Sequence, residues 1–241
     1  MDGLVLGAGS GIARAVLRQA WREEDGKARW VLASRSGEAL PDLAAAAGGR
    51  RLQWARAEAR ENPAPWLARV GADGWRPQLI LVAWGILVPE GRGTAAELAH
   101  MREVNGAATL RWLEELAGWL GEARSAEAPR IAVLGSVAGD RPRRRQWEYS
   151  LSKQELERGI DRLRRRTPWV RYVLVKPGPV ATPMTAHLPP GPLLSRPEAI
   201  APRIWSAWRA GRPAVYAPAW WGAISRLLSL VPEPLWKHVP F

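Results

Sequence analysis

The chain has 241 residues, 47% of them hydrophobic, no cysteine, and a formal net charge of +12 from 35 basic against 23 acidic side chains. That length and apolar content support a sizeable core and exclude disorder. Without cysteine there is no disulfide or thiolate metal site, and the three histidines (His100, His187, His238) lack the close pairing of local metal motifs, so no metal is expected.

In chain order, the apolar run at 4–6 predicts a strand and 12–21 a helix. A strand at 30–33, a helix at 40–47 and a strand at 52–55 follow. The run at 79–83 is apolar throughout, as expected of a strand buried on both faces. A long helical period covers 95–120, then a strand at 131–134, a helix at 149–165 and a strand at 172–175. Strands alternating with helices imply an α/β fold: one Rossmann-type, doubly wound parallel sheet with helices on both faces, forming a single domain over 1–241. The first apolar run follows Asp2 and enters a glycine turn, so it reads as a strand and not a signal peptide. No 18-residue apolar stretch is present, and a cytoplasmic location is the default.

Two segments stand outside the alternation. The Pro/Gly-rich stretch 177–197 is long for a passive loop, and its 183–197 part reads as a substrate lid. In the tail, 217–241, Trp220, Ile224, Leu227, Leu228 and Val231 share one helical face. That face either packs on the domain or a partner subunit, or lies at the inner face of a membrane with Arg226 and Lys237 toward headgroups.

Gly7, Gly9 and Gly11 sit between the first strand and the first helix, with Ser10 and Ile12 between and after them. There the chain must turn tightly and let its backbone approach a pyrophosphate at a helix N-terminus. The second strand ends in Ser34-Arg35-Ser36. NAD-preferring chains carry an acid there for the ribose 2′-hydroxyl; arginine suits a 2′-phosphate instead, so NADP(H) is expected over NAD(H).

Tyr149 and Lys153 lie four apart on one helix face, where an ammonium lowers a phenol's pKa. Ser136, thirteen residues upstream of the tyrosine, can hold a carbonyl oxygen while the phenol supplies a proton. That is carbonyl reduction chemistry. Lys176-Pro177-Gly178-Pro179-Val180-Ala181-Thr182 follows the tyrosine.

Together these residues resemble the short-chain dehydrogenase/reductase family, in the family's order, from Gly7 to about Thr182. The resemblance implies catalysis by Asn105, Ser136, Tyr149 and Lys153. Tyr149 would be general acid in reduction and base in oxidation, Lys153 would bond the nicotinamide ribose, Ser136 would polarise the carbonyl, and Asn105 would hold a relay water. It implies cofactor contacts from the Gly7–Ala13 turn, from Gly85, and from Pro177, Gly178, Val180 and Thr182 around the nicotinamide. The chain departs from the usual pattern in Val82-Ala83-Trp84-Gly85, in the absence of a secure acid near adenine, and in Ala13. Several segments, the tail among them, are similar to the branch containing decaprenylphosphoryl keto-pentose reductases, which implies a lipid-linked substrate. The family also implies a dimer or tetramer built through the helices at 95–120 and 149–165.

The arginines cluster at 141–145 and 162–166. The first cluster can meet a phosphorylated substrate; the alternative is a solvated basic face. The leading expectation is therefore an NADP(H)-dependent reductase of a ketone or keto-sugar. The alternatives are a nucleotide-sensing regulator without turnover and an arginine-rich nucleic-acid-binding protein, although no nucleic-acid-binding signature accompanies the charge. The 15 tryptophans read mostly as core filler, with Trp84 and Trp147 as candidates for the pocket.

Overall fold

The computed structural model describes residues 1–24, 26–89, 91–121, 127–142 and 146–236. The first half alternates β1 (Gly3–Leu6), α1 (Gly11–Glu23), β2 (Arg29–Ser34), α2 (Pro41–Ala46), β3 (Arg51–Arg56), α3 (Pro63–Val70) and β4 (Leu79–Val82). The second half contains α4 (Ala95–Glu103), a π-helical turn (Val104–Ala108), α5 (Thr109–Gly121), β5 (Arg130–Leu134), α6 (Trp147–Arg166) and β6 (Arg171–Pro177). It ends with α7 (Pro197–Ala210), β7 (Ala214–Ala217), α8 (Trp220–Ser229) and α9 (Glu233–Trp236).

All seven strands are parallel, in the order β3-β2-β1-β4-β5-β6-β7. The winding reverses between β1 and β4, which opens a crevice beyond their C-terminal ends. Successive side chains of a strand face opposite layers. Val5, Leu81, Ala132 and Val175 thus join α1 and α7 in one core, with Trp205 and Trp208. Leu4, Leu6, Ile80, Val82, Ile131 and Val133 join α3, α5 and α6 in the other, with Trp66 and Trp112. Trp208 is fully buried, lies edge-on to Trp205 and Trp30, and donates its indole N–H to the Arg130 carbonyl at 3.1 Å.

The structure differs from the sequence expectation in two ways. The helix expected over 95–120 is two helices joined by the π turn. The Thr109 hydroxyl occupies the Val104 carbonyl at 2.7 Å, and the Asn105 side chain leaves the helix to bond Ile86. Such widened turns concentrate at functional sites. Elements α3, α7 and β7 were also not anticipated. Pro63 and Pro65, and Pro197 with the internal Pro202, masked both helices, although Asn62 caps the first and proline suits a first helical turn.

Replacing Trp208 by alanine should destabilise the fold by about 3–5 kcal/mol. Urea denaturation would show this as a lower midpoint at an unchanged slope; a loss below about 1 kcal/mol would mean the two indoles beside it do not depend on it.

Candidate active site

β1 ends at Leu6, and Gly7 turns the chain at φ +88, in the left-handed region. A Cβ there would meet the Trp84 amide nitrogen at 2.7 Å, so the turn lies against the end of β4 as only glycine allows. A Cβ at Gly9 would meet nothing within 4 Å, leaving the backbone open to a ligand. Ser10 caps α1, its Oγ accepting from Ala13 N at 3.5 Å. The first-turn amides of Gly11 and Ile12 have no acceptor within the helix. Thr182 reaches the same spot from the far side: a Cβ on Gly11 would lie 3.2 Å from its Cγ2.

Lys153 is 4% exposed, and its Nζ donates to the Leu134 carbonyl at 3.1 Å, two residues before Ser136. Its Nζ lies 5.8 Å from the Tyr149 ring centroid. A Cβ on Gly85 would stand 3.6 Å from that ammonium and 3.2 Å from Asn105 Oδ1. Asn105 holds the Ile86 backbone from both sides, accepting from its N–H and donating to its carbonyl, each at 2.8 Å, and approaches Ser152 Oγ at 3.3 Å. The buried Ser136 opens the 3₁₀ turn Val137–Gly139 and accepts from Ala138 N at 3.1 Å. That turn packs on α6: a Cβ on Gly139 would meet the Lys153 carbonyl carbon at 3.3 Å. The fold thus gathers Gly85, Asn105, Ser136, Tyr149 and Lys153 around the C-terminal ends of β4 and β5.

A group of charges that the sequence did not suggest lies behind them. Glu157 Oε2 pairs with Lys176 Nζ at 2.8 Å, and Asp140 pairs with the same ammonium. The Tyr216 hydroxyl donates to Asp140 at 3.3 Å. Burial pushes the Lys153 ammonium down to about 8, with Glu157 pulling it back up. Burial pushes the Glu157 carboxyl up to about 7 against the pull of Lys176 and Lys153. Burial alone would lower Lys176, but Glu157 and Asp140 outweigh it and hold it above its usual value. The signal that could have found Glu157 is its spacing, one turn after Lys153 on the same helix face.

No family model matches the chain. An uncharacterised oxidoreductase of Mycobacterium tuberculosis, in strains CDC 1551 and H37Rv alike, is 29% identical over 223 residues, covering 88% of each chain. A short-chain dehydrogenase from Burkholderia cenocepacia, solved in complex with NADP, superposes with a TM-score of 0.80 at 20% identity, covering 100% of this chain and 97% of that one. A 3-oxoacyl-[acyl-carrier protein] reductase from Brucella melitensis, in complex with NAD, gives 0.77 at 15% identity over 92% of this chain and 97% of its own. The chain has the short-chain dehydrogenase/reductase fold.

Within that fold, the remaining site candidates fall as follows. Ser34 and Arg35 stand at the end of β2, where Ser34 Oγ accepts from Gly37 N at 3.1 Å and Arg35 is exposed. Arg35 and Arg56 both act on the carboxylate of Glu58, and Arg56 is paired with Ser34 in the sheet register. Val180 is buried and bridges to Ser195; Gly178 takes the edge of Trp221 so closely that a Cβ would lie 1.8 Å from Nε1. Trp84 belongs to the core: it lies edge-on to Trp112 at 5.1 Å and donates to Thr109 Oγ1 at 3.1 Å. Trp147 is 52% exposed at the start of α6. Arg141, expected at the substrate mouth, instead donates to the Leu228 and Val231 carbonyls at 2.6 Å each and stacks on Trp236. The rest of that cluster, Arg143, Arg144 and Arg145, and Lys237 of the tail, lie outside the described residues.

Replacing Asn105 by alanine leaves both Ile86 backbone groups without their partner, which should cost about 1–3 kcal/mol. Hydrogen exchange of the Ile86 amide should quicken in step; unchanged protection there would show that another group holds the loop.

Proposed function

We propose that this protein is an NADP(H)-dependent oxidoreductase that reduces a ketone or keto-sugar to the alcohol and runs the reverse oxidation. The observation that carries this reading is a buried lysine one helical turn from a half-buried tyrosine, with Asn105 and Gly85 packed beside its ammonium. A dinucleotide suits the residues present, because the open backbone at Gly9 and the first amides of α1 form a place for a pyrophosphate. Gly7, Gly9, Ser10, Gly11 and Ile12 would hold that group, Ser34 and Arg35 the adenosine ribose and its 2′-phosphate, and Gly85 the adenosine side. Tyr149 and Lys153 would bond the nicotinamide ribose, with Pro177, Gly178, Val180 and Thr182 along the nicotinamide. When bound, the cofactor supplies the hydride.

The side chains supply the proton and the geometry. In reduction the Tyr149 hydroxyl donates its proton to the carbonyl oxygen; in oxidation its phenolate takes the proton from the alcohol. With its pKa at about 8, Lys153 is still mainly cationic at neutral pH and favours the phenolate. Ser136 Oγ already accepts from Ala138 N, so its own proton is free to be donated to a carbonyl oxygen. Asn105 is committed to Ile86 and acts by holding the loop that carries Gly85. Support for the phosphorylated cofactor comes from exposed Arg35 where an acid would otherwise stand, and from the NADP complex of the Burkholderia cenocepacia neighbour.

A panel of carbonyl substrates with NADPH and NADH tests this directly. NADPH should be consumed with the lower KM, and Tyr149→Phe should lower kcat about 10²–10⁴-fold. Turnover that survives the substitution, or a clear NADH preference, would sink the corresponding half of the proposal.

A narrower reading, a lipid-linked keto-sugar as substrate, is favoured by the tail. Leu227, Leu230 and Leu235 are 66%, 78% and 61% exposed, and no helix of the described residues is long and apolar enough to cross a membrane. Exposed leucines on a short helix suit contact with a lipid surface. Vesicles containing anionic lipid should co-sediment the protein, and Leu227→Ser with Leu230→Ser should release it; no binding at low salt would remove this reading.

A further inference from the structure

Four charged groups cluster next to the tyrosine, the ammoniums buried and the carboxylates largely so. Two are ammoniums, Lys153 and Lys176, 4% and 9% exposed, and two are carboxylates, Asp140 and Glu157. They come from separate segments. Asp140 directly follows the turn that Ser136 opens, Glu157 lies one turn past Lys153 on α6, and Lys176 precedes Pro177 and Gly178 on β6. Glu157 stands among the other three, in contact with Lys176 and acting on Lys153 and Asp140 through its charge. Its Oε2 takes the Lys176 ammonium at 2.8 Å, and its Oε1 lies 2.5 Å from where a Gly139 Cβ would stand. Its charge also acts on Lys153.

We propose that Glu157 is a positioning residue of this site, keeping Lys153 cationic and locking α6 to the Ser136 turn and, through Lys176, to the Pro177–Gly178 segment. The proposal rests on the reading of Tyr149 and Lys153 as the acid–base pair. The physical reason is charge balance. An ammonium removed from water sheds its proton unless a carboxylate compensates it. Lys153 otherwise has the Leu134 carbonyl, a dipole without net charge. Glu157 supplies the compensation, at the expense of its own proton affinity, which burial has raised to about 7. The groups facing it among the described residues are Lys153 on α6, Lys176 on β6, Asp140 after the 3₁₀ turn and Tyr216 on β7. Below about pH 7 Glu157 is itself protonated and Lys153 needs no help to stay charged; above about 7 Glu157 is ionised and holds the proton on Lys153 as the pH approaches 8.

The test needs no substrate. The chain has 3 tyrosines, and burial raises the other two, Tyr172 and Tyr216. Phenolate absorbance of the full chain, titrated with pH, should therefore show a first step that Tyr149→Phe abolishes. Glu157→Gln keeps the shape of the side chain and removes its charge, so it should move that first step up by about one pH unit, a tenfold change in proton affinity. Asp140→Asn also breaks a contact to Lys176, but it removes a neighbour that holds Glu157 protonated. It should leave the step in place or lower it. Once a carbonyl substrate is found, the alkaline rise of the alcohol oxidation, which needs the phenolate, should move up in Glu157→Gln together with the titration step.

A Tyr149 step unmoved in folded Glu157→Gln would overturn the proposal. So would an equal upward shift in Asp140→Asn, which would mean that any break in the cluster acts by loosening the packing. If Glu157→Gln does not fold, the Asp140→Asn result decides alone. An inactive wild type with every carbonyl tried would strike the reductase reading and leave the titration standing.

Discussion

Covering a parallel sheet on both faces leaves its strand interiors no tolerance for polar groups, and the whole placement of this site follows from that. β1 and β4 are apolar and buried from end to end, and β5 and β6 are buried from their second residue onward, with Lys176 of β6 the charged exception. Polar side chains can enter only where a strand gives way to a turn. Gly7 follows β1, Ser34 closes β2, Gly85 follows β4 and Ser136 follows β5. All strands point the same way, so these ends meet along one edge. The reversal of winding between β1 and β4 keeps that edge from being covered by a crossover helix.

Two polar side chains break the rule from within, and they explain each other. Lys176 sits in a buried strand and Lys153 on a buried helix face, each of which would normally exclude an ammonium. Burying one charge without a partner costs several kcal/mol. Two cations face two carboxyl groups, which balance them once Glu157 is ionised, and the Tyr216 hydroxyl adds a further donor to Asp140. The members are not equivalent: Glu157 acts on both ammoniums, whereas Asp140 pairs with Lys176. The cluster also ties α6 and the turn after β5 to β6: Asp140 and Lys176 are 36 residues apart in sequence.

What could be seen in the sequence is what depends on near neighbours. The alternation of strands and helices rests on local periodicity and gave the sheet, its parallel sense and its two covered faces. The four-residue spacing of Tyr149 and Lys153 guarantees a shared helix face without knowledge of anything else. The π turn was hidden because its cause is a hydrogen bond from Asn105 to Ile86, 19 residues upstream, which no helical period records. The same holds for Lys176. Next to a glycine–proline turn it looks like a loop residue, and only the register of β6 with β7, which puts it opposite Tyr216, carries it inside. Trp84 misled for a related reason. It stands beside a glycine at the end of a strand, as a pocket residue would, yet its ring turns back onto Trp112.

The basic excess shows how little composition says about the use of a charge. Arg141 lies between Ser136 and Tyr149 in sequence, which suggested an anionic ligand. Its guanidinium instead closes the C-terminal end of α8, donating to the Leu228 and Val231 carbonyls. Trp236 stacks on that guanidinium and donates to the Pro142 carbonyl at 2.9 Å, so the tail and the loop after the 3₁₀ turn hold each other. Trp221, at the other end of the same helix, packs on Gly178. The tail is therefore fastened to both segments that flank the tyrosine, and whatever covers its outer leucines acts on a surface continuous with the site.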